Sequence, residues 1–285
     1  MGKHLNLLFP QWQGGPKREI YDGAVQLVKS LEKKLEFEKI VVSLDDELVL
    51  EKNIIGYQSI LGQLKATSEL IIAHNPASIL TIGGNCSVGI IPIAYLNQYF
   101  RGDLAVVWLD AHGDINTPER SLSKFFTGMP VRHLLGDGDS KICSLLHSNL
   151  KPDQIVLAGT RSLDEQESDY IKKAGIKTMS SKDLTACPEA IANYIVAKGY
   201  SQVYVHVDTD VLSESTFAFS AWPSQEGIDL KTLANIFDGI SKNCCLVGSS
   251  LVEFLPCDDL GIKQLQSILN KILPLLKHDS DAKNN

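Results

Sequence analysis

Leu104-Ala-Val-Val-Trp-Leu-Asp-Ala-His-Gly-Asp-Ile-Asn-Thr-Pro118 is the stretch on which the fold turns. Its first six residues are continuously apolar. A run of that length without alternation reads as a strand buried on both faces. It ends in Asp110, His112 and Asp114, separated by the small residues Ala111 and Gly113. Two carboxylates and an imidazole therefore leave the carboxyl end of a buried strand within five residues. Open α/β sheets place their ligand sites at that end, and carboxylate oxygens with an imidazole nitrogen suit a hard or borderline divalent metal. For this segment alone, a polar cap on a strand-to-loop junction is the plain alternative.

A second β-rich run, 203–207, delivers His206, Asp208 and Asp210, whose alternation puts them on one side of a strand. Two strand ends bearing carboxylates can share two metals through bridging oxygens, and metals so paired activate water. A third apolar run, 78–82, enters Gly83-Gly84-Asn85-Cys86-Ser87, either a tight turn or a loop whose backbone approaches a site closely. Cys245 to Phe254 reads as a last strand bearing Glu253.

Between these runs, strand and helix patterns alternate. Residues 5–9, 39–43, 155–158 and 177–179 read as further strands. Helical spacing covers 21–35, 57–73, 88–100, 131–135, 142–146, 188–198, 230–240 and 260–276. Residues 117–130 form a polar loop carrying Ser121, Ser123 and Thr127-Gly128, and an acidic run, 164–167, follows Gly159-Thr160-Arg161. With no linker and no repeat, the alternation predicts a single α/β domain over 1–276, a three-layer α/β/α sandwich with a mainly parallel sheet. A polar tail, 277–285, follows it.

Composition narrows the function. The 285 residues suffice for one substantial core, and 44% hydrophobic with 21% charged residues is ordinary for a globular protein. A net charge of −7 argues against nucleic acid as the main partner. No stretch approaches the 18 or so apolar residues of a membrane span. The six cysteines form no CxxC pair and read as free thiols of a reducing compartment, so a cytoplasmic protein is expected.

These residues resemble the ureohydrolases: arginase, agmatinase and formiminoglutamase. The motifs are Gly-Gly-x-x-Ser at 83–87, Asp-Ala-His-x-Asp at 110–114, the Asp208-x-Asp210 pair and the Glu253 segment. The resemblance runs from the first strand to the last helix. It implies an arginase-like three-layer fold and two divalent ions, manganese foremost, that hydrolyse a guanidino or amidino compound. In that reading Asp110 and Asp208 bridge the metals, His112 and Asp210 hold one, and Asp114 holds the other. Glu253 grips the guanidinium in a charge-assisted fork. Asn116, Ser121 and Ser123 stand where arginases bind an α-carboxylate, and Asp164 where they bind the α-amino group, which favours an amino-acid substrate. Homo-trimers or hexamers are common in the family.

Two departures strike the chemistry. Cys86 replaces a metal-ligating histidine, and Thr127 replaces a loop histidine credited with shuttling protons. A Cys86 thiolate would favour zinc or iron, and it would offset the negative charge lost by Asn85 standing where the family has aspartate. His206 can supply the missing imidazole, as ligand or as proton acceptor, or be a packed strand histidine. An impaired ureohydrolase acting as a binding or regulatory subunit is the alternative to an active hydrolase.

Overall fold

The computed structural model describes residues 3–277 of the chain. The elements run β1 (Lys3–Phe9), α1 (Glu19–Leu31), β2 (Glu38–Lys39), β3 (Leu50–Glu51), β4 (Ile54–Ile55), α2 (Tyr57–His74), β5 (Pro76–Gly83) and α3 (Ile90–Tyr99). They continue with β6 (Leu104–Leu109), α4 (Pro130–Leu134), α5 (Ser140–Cys143), β7 (Ile155–Ala158), α6 (Glu165–Ala174), β8 (Lys177–Met179), α7 (Ser181–Ala186) and α8 (Ala190–Ala197). The chain closes with β9 (Gln202–Asp208), α9 (Leu230–Asn243), β10 (Cys245–Val252) and α10 (Asp259–Lys277). Apart from Lys277, which ends α10, the expected polar tail lies outside the described residues.

Eight strands form one sheet in the order β2-β1-β5-β10-β9-β6-β7-β8, and every pairing in it is parallel. All six residues of β6 are buried because the sheet is covered on both faces. Leu104, Val106 and Trp108 face a core layer built with α2, α3 and α4, while Ala105, Val107 and Leu109 face one built with α1, α8, α9 and α10. This is the predicted three-layer sandwich. The central strands β5, β10, β9 and β6 are neighbours, so their carboxyl ends open on one place.

Several local expectations need correction. The second strand is only Glu38–Lys39, and Val41 is exposed beyond it. The first helix ends at Leu31 rather than at 35. The stretch expected as one helix from 88 begins as a tight turn, Cys86–Gly89, before α3. The acidic run 164–167 opens a helix, α6, and α7 and the β3–β4 hairpin were not anticipated. Asp210 is not on a strand: β9 stops at Asp208, whose side chain accepts from the Asp210 N–H at 2.8 Å and starts a helical turn. Glu253 lies one residue past β10.

Candidate metal centre

Asp110 leaves β6 with its backbone N–H on Ala158 of β7 at 3.0 Å, so the sheet fixes the chain up to the functional carboxylate. Its Oδ1 accepts the His112 N–H at 2.6 Å, and its Oδ2 accepts Trp108 Nε1–H at 3.1 Å. The His112 ring returns over this turn, with Nδ1 2.9 Å from Asp210 Oδ2 and 3.3 Å from Asp110 Oδ1. Burial works against a charged His112, but two carboxylates on one nitrogen win and push it up to about 12. The same imidazolium holds Asp110 low against its own burial.

Asp208 and Asp114 carry no such partner. Burial, reinforced by neighbouring carboxylates, pushes both well above the usual carboxylate range, and Asp210 to about 6. Asp114 Oδ2 is buried without a hydrogen bond, and Asp114 sits at φ +49°, a left-handed conformation uncommon outside glycine. Clustered buried carboxylates with an unsatisfied oxygen are held together against their own repulsion, the arrangement that divalent cations relieve. Ligand atoms lie within 4.8 Å of one another in three overlapping sets: Asp110–His112–Asp210, Cys86–Asp208–Glu253 and Cys86–Asp110–His206. The donor chemistry fits divalent metal.

Cys86 reaches this floor from the other side. Gly84 permits it, since a Cβ there would lie 2.0 Å from the Gln11 carbonyl oxygen. Asn85 then caps the turn: its Oδ1 accepts Ser87 N–H at 3.0 Å and its Nδ2 donates to the Gln11 carbonyl at 2.8 Å. That second bond requires an amide, because a carboxylate would face a carbonyl oxygen. Asn85 thus has a local reason beyond charge balance. Cys86 Sγ lies 3.2 Å from Asp208 Oδ2 and 3.8 Å from Asp110 Oδ2. Burial and the surrounding carboxylates push its thiol well up, so the charge balance expected of a thiolate holds only with a cation beside it.

Glu253 is aimed by strain. Its φ is +59°, its N–H is held by the Gly84 carbonyl at 2.7 Å, and its carbonyl accepts Thr209 Oγ1 at 2.8 Å. Such strain, overdetermined by its surroundings, concentrates at functional sites. Thr127 Oγ1 donates to Glu253 Oε1 at 2.6 Å and itself accepts the Cys86 N–H at 3.3 Å. Burial, opposed by Thr127 and aided by Asp210 and Asp110, pushes Glu253 up to about 8.

A cavity of about 210 Å³ opens over this floor, lined among others by Cys86, His112, Asp114, Asp208 and Glu253 with Thr127, Asn116, Ser123 and Asp164 at the rim. Asn116 Nδ2 donates to Asp164 Oδ2 at 3.2 Å across its mouth. Ser121 is elsewhere: it is buried, outside the lining, and caps the Lys124 N–H at 3.1 Å. Asp110, Asp210 and His206 lie beneath the surface of the cavity.

The sequence reading missed four supporting residues. Trp108 holds Asp110, and its i, i+2 spacing from that residue was a usable signal. Arg161 clamps the Asp210 carbonyl at 2.6 Å and the Gly159 carbonyl at 2.8 Å. Glu167 accepts the Ile115 and Asp164 N–H groups at 3.1 and 3.0 Å, binding α6 to the loop that follows β6. Ser250 holds His206 at 2.7 Å. None of the last three is signalled by local sequence.

Residues 18–269 match the family profile described as the Arginase family. The arginase of Staphylococcus aureus (strain MSSA476) is 31% identical over 209 residues, 70% of this chain and 69% of that protein. The arginase of Bacillus subtilis (strain 168) is 30% identical over 208 residues, 68% of this chain and 69% of that one. Among solved structures, Entamoeba histolytica arginase in complex with L-ornithine superposes with a TM-score of 0.85 at 23% identity, covering 95% of this chain and 98% of that one. Bacillus subtilis formimidoylglutamase does so with a TM-score of 0.73 at 19% identity, covering 97% and 88%. These two likenesses show a shared fold.

Proposed function

Since this chain belongs to the arginase family, and is thereby a hydrolase of that family's kind, we propose that it cleaves a C–N bond of a small guanidino or amidino compound bearing an amino-acid head group. The observation that carries this reading is one cavity bringing the Asp110–His112–Asp210 and Cys86–Asp208–Glu253 sets under a polar rim. Divalent cations held there would supply the Lewis acidity that makes water a nucleophile near neutral pH. Asp110 and Asp208 with His112 and Asp210 would hold the ions on one side, and Asp114 with Cys86 would hold them on the other. Manganese suits the oxygen-rich half, and zinc or iron the sulfur-bearing half.

This chain's residues supply the rest. Glu253, held by the Thr127 hydroxyl, offers the carboxylate that would pair with a guanidinium or amidinium. Asn116, Ser123 and Asp164 stand where an amino-acid head group would be gripped, and the solved relative complexed with L-ornithine supports that class of ligand. Thr127 has no titratable group near neutrality, so it cannot relay a proton to the leaving amine, a service typically worth about 10²–10⁴-fold. Hydrolysis at pH 7 is therefore slow and rises toward alkaline pH. Among the described residues no helix is long and apolar enough to cross a membrane. A cytoplasmic homo-oligomer, a trimer or hexamer, is the assembly we propose.

The test is release of urea, ammonia or formamide from guanidino and amidino compounds after loading with manganese, zinc, iron or cobalt in turn. Product from at least one pairing, lost on chelation, is expected. No product from any compound with any metal would overturn the reading and leave the binding-subunit alternative, which no feature of the site favours at present.

A further inference from the structure

Beneath the cavity floor lies a histidine that the family pattern does not explain. His206 is wholly buried on β9, in register with Trp108 of β6 on one side and Ser250 of β10 on the other. Its ring stacks on the Trp108 indole with centroids 3.6 Å apart and planes 10° from parallel, so it cannot swing. Its Nδ1 is 2.7 Å from Ser250 Oγ. Its Nε2 is buried without a partner, and a ring nitrogen of His206 lies within 4.8 Å of Cys86 Sγ and an Asp110 oxygen.

An unpartnered ring nitrogen in a fully buried site is expensive unless something else binds it. A proton there would have no acceptor, since no hydrogen-bond partner faces Nε2. What remains is the state usual for a metal-binding histidine: one nitrogen donates its N–H to an outer partner, and the other keeps a lone pair for the ion. Ser250 is that outer partner, and Trp108 serves twice, stacking on the imidazole and holding Asp110 through Nε1.

We propose that His206 Nε2 is a metal ligand, and that with Cys86 Sγ and an Asp110 oxygen it forms a sulfur-nitrogen-oxygen half-site selective for zinc-like ions over manganese. The imidazole missing from the Gly-Gly loop is thus returned from below, by the neighbouring strand. Sulfur with imidazole suits zinc or cobalt, whereas the His112 half, three carboxylates and one imidazole, suits manganese. The two halves therefore prefer different metals. Ion binding releases the Cys86 thiol proton to solvent. This inference rests on the metal-dependent reading above.

The experiment is titration of metal-free protein with cobalt(II), zinc and manganese separately, followed by absorption spectroscopy and chelator competition. Cobalt should give an intense near-ultraviolet thiolate-to-metal band that Cys86→Ser removes. His206→Gln should weaken zinc binding by more than about 100-fold, since losing an outer partner alone costs about 10–100-fold, and should leave one manganese bound. Ser250→Ala, a milder change of the same core, should weaken zinc by about 10–100-fold with the fold intact by circular dichroism. Wild-type zinc affinity and an unchanged cobalt spectrum in both His206→Gln and Ser250→Ala would overturn the assignment of His206 while leaving the hydrolase reading in place. Absence of bound zinc, cobalt and manganese in the wild type would instead overturn the metal-dependent reading and this inference with it.

Discussion

The two sides of the carboxylate cluster are built in different ways. On one side Asp110 and His112 share the turn after β6, two residues apart, and the β6–β9 pairing brings Asp210 beside them on the single turn that follows Asp208. On the other side Cys86 arrives on a glycine loop from β5, and His206 is set beneath it by the register of three parallel strands. The histidine of the first side is 39% exposed toward the cavity. The second side is more deeply buried: Cys86 and His206 are 2% and 0% exposed. On the first side Asp110 sets several distances at once, since it accepts the His112 N–H and meets the ring that also faces Asp210. On the second the loop and the strand each supply one group, and strand register sets their separation.

The largest effect should come from the residue common to both sides. Asp208 accepts the Asp210 N–H at 2.8 Å and the Cys86 thiol at 3.2 Å. Asp208→Asn keeps the shape but removes the negative charge, so both halves should lose metal together. Hydrolysis should fall by more than about 100-fold, beyond the range seen for outer-shell partners. Metal analysis of the desalted variant checks this, and retention of two ions per chain would mean that Asp208 joins neither half.

Thr127→Val probes the link between the sides, because its hydroxyl spans Glu253 Oε1 and the Cys86 N–H. Losing a hydrogen bond to a carboxylate costs about 1.5–3 kcal/mol, so KM for a guanidino substrate should rise on the order of 10-fold or more. An unchanged KM would show that Glu253 needs no help from Thr127. Cys86→His probes the second side alone. Replacing soft sulfur by imidazole should tighten manganese there, on the order of 10-fold, the low end of what altering a metal's surroundings changes. Manganese titration followed by paramagnetic resonance of the free ion reads this out, and equal affinity would mean that position 86 is not a ligand.

The same contrast governs what was legible in the sequence. Strands β6 and β7 are legible to the residue because continuous apolar runs end abruptly in polar or glycine residues. The Asp110–His112–Asp114 constellation followed, since it needs only two-residue spacing. Helix α6 was hidden: of its ten residues only Glu167 and Ile171 are buried, too few for an apolar period to show. The turn at Asp210 depends on a side-chain cap rather than on hydropathy. The surroundings of His206 are not legible in sequence, because its partners Ser250 and Trp108 are distant along the chain and adjacent only by strand register.

The smallest effect lies outside both sides, in the support of the Thr127 turn. His133 on α4 packs edge-on against Phe126, with ring centroids 4.8 Å apart. Its Nδ1 donates to the Met129 carbonyl at 2.9 Å, and its Nε2 accepts the Asp139 N–H at 3.0 Å. The accepting nitrogen requires a neutral ring. Burial pushes His133 below its ordinary 6.5, and the Met129 carbonyl, Asp139, Glu119 and Asp137 only partly oppose it. Above pH 6.5 both folded and unfolded chains hold it neutral, and its contribution to stability is complete. As pH falls through that value the unfolded chain takes a proton that the folded chain refuses, so stability is lost toward acid. His133→Gln should therefore melt earlier than wild type at pH 7.5, by about 1 kcal/mol for the hydrogen bonds disturbed, and the gap should narrow at pH 5.5. Thermal melts of the two metal-free proteins at both pH values measure it. A gap that widens toward acid would mean that His133 is charged in the folded state, and that the Thr127 turn rests on an ion pair with Asp139 rather than on a neutral ring.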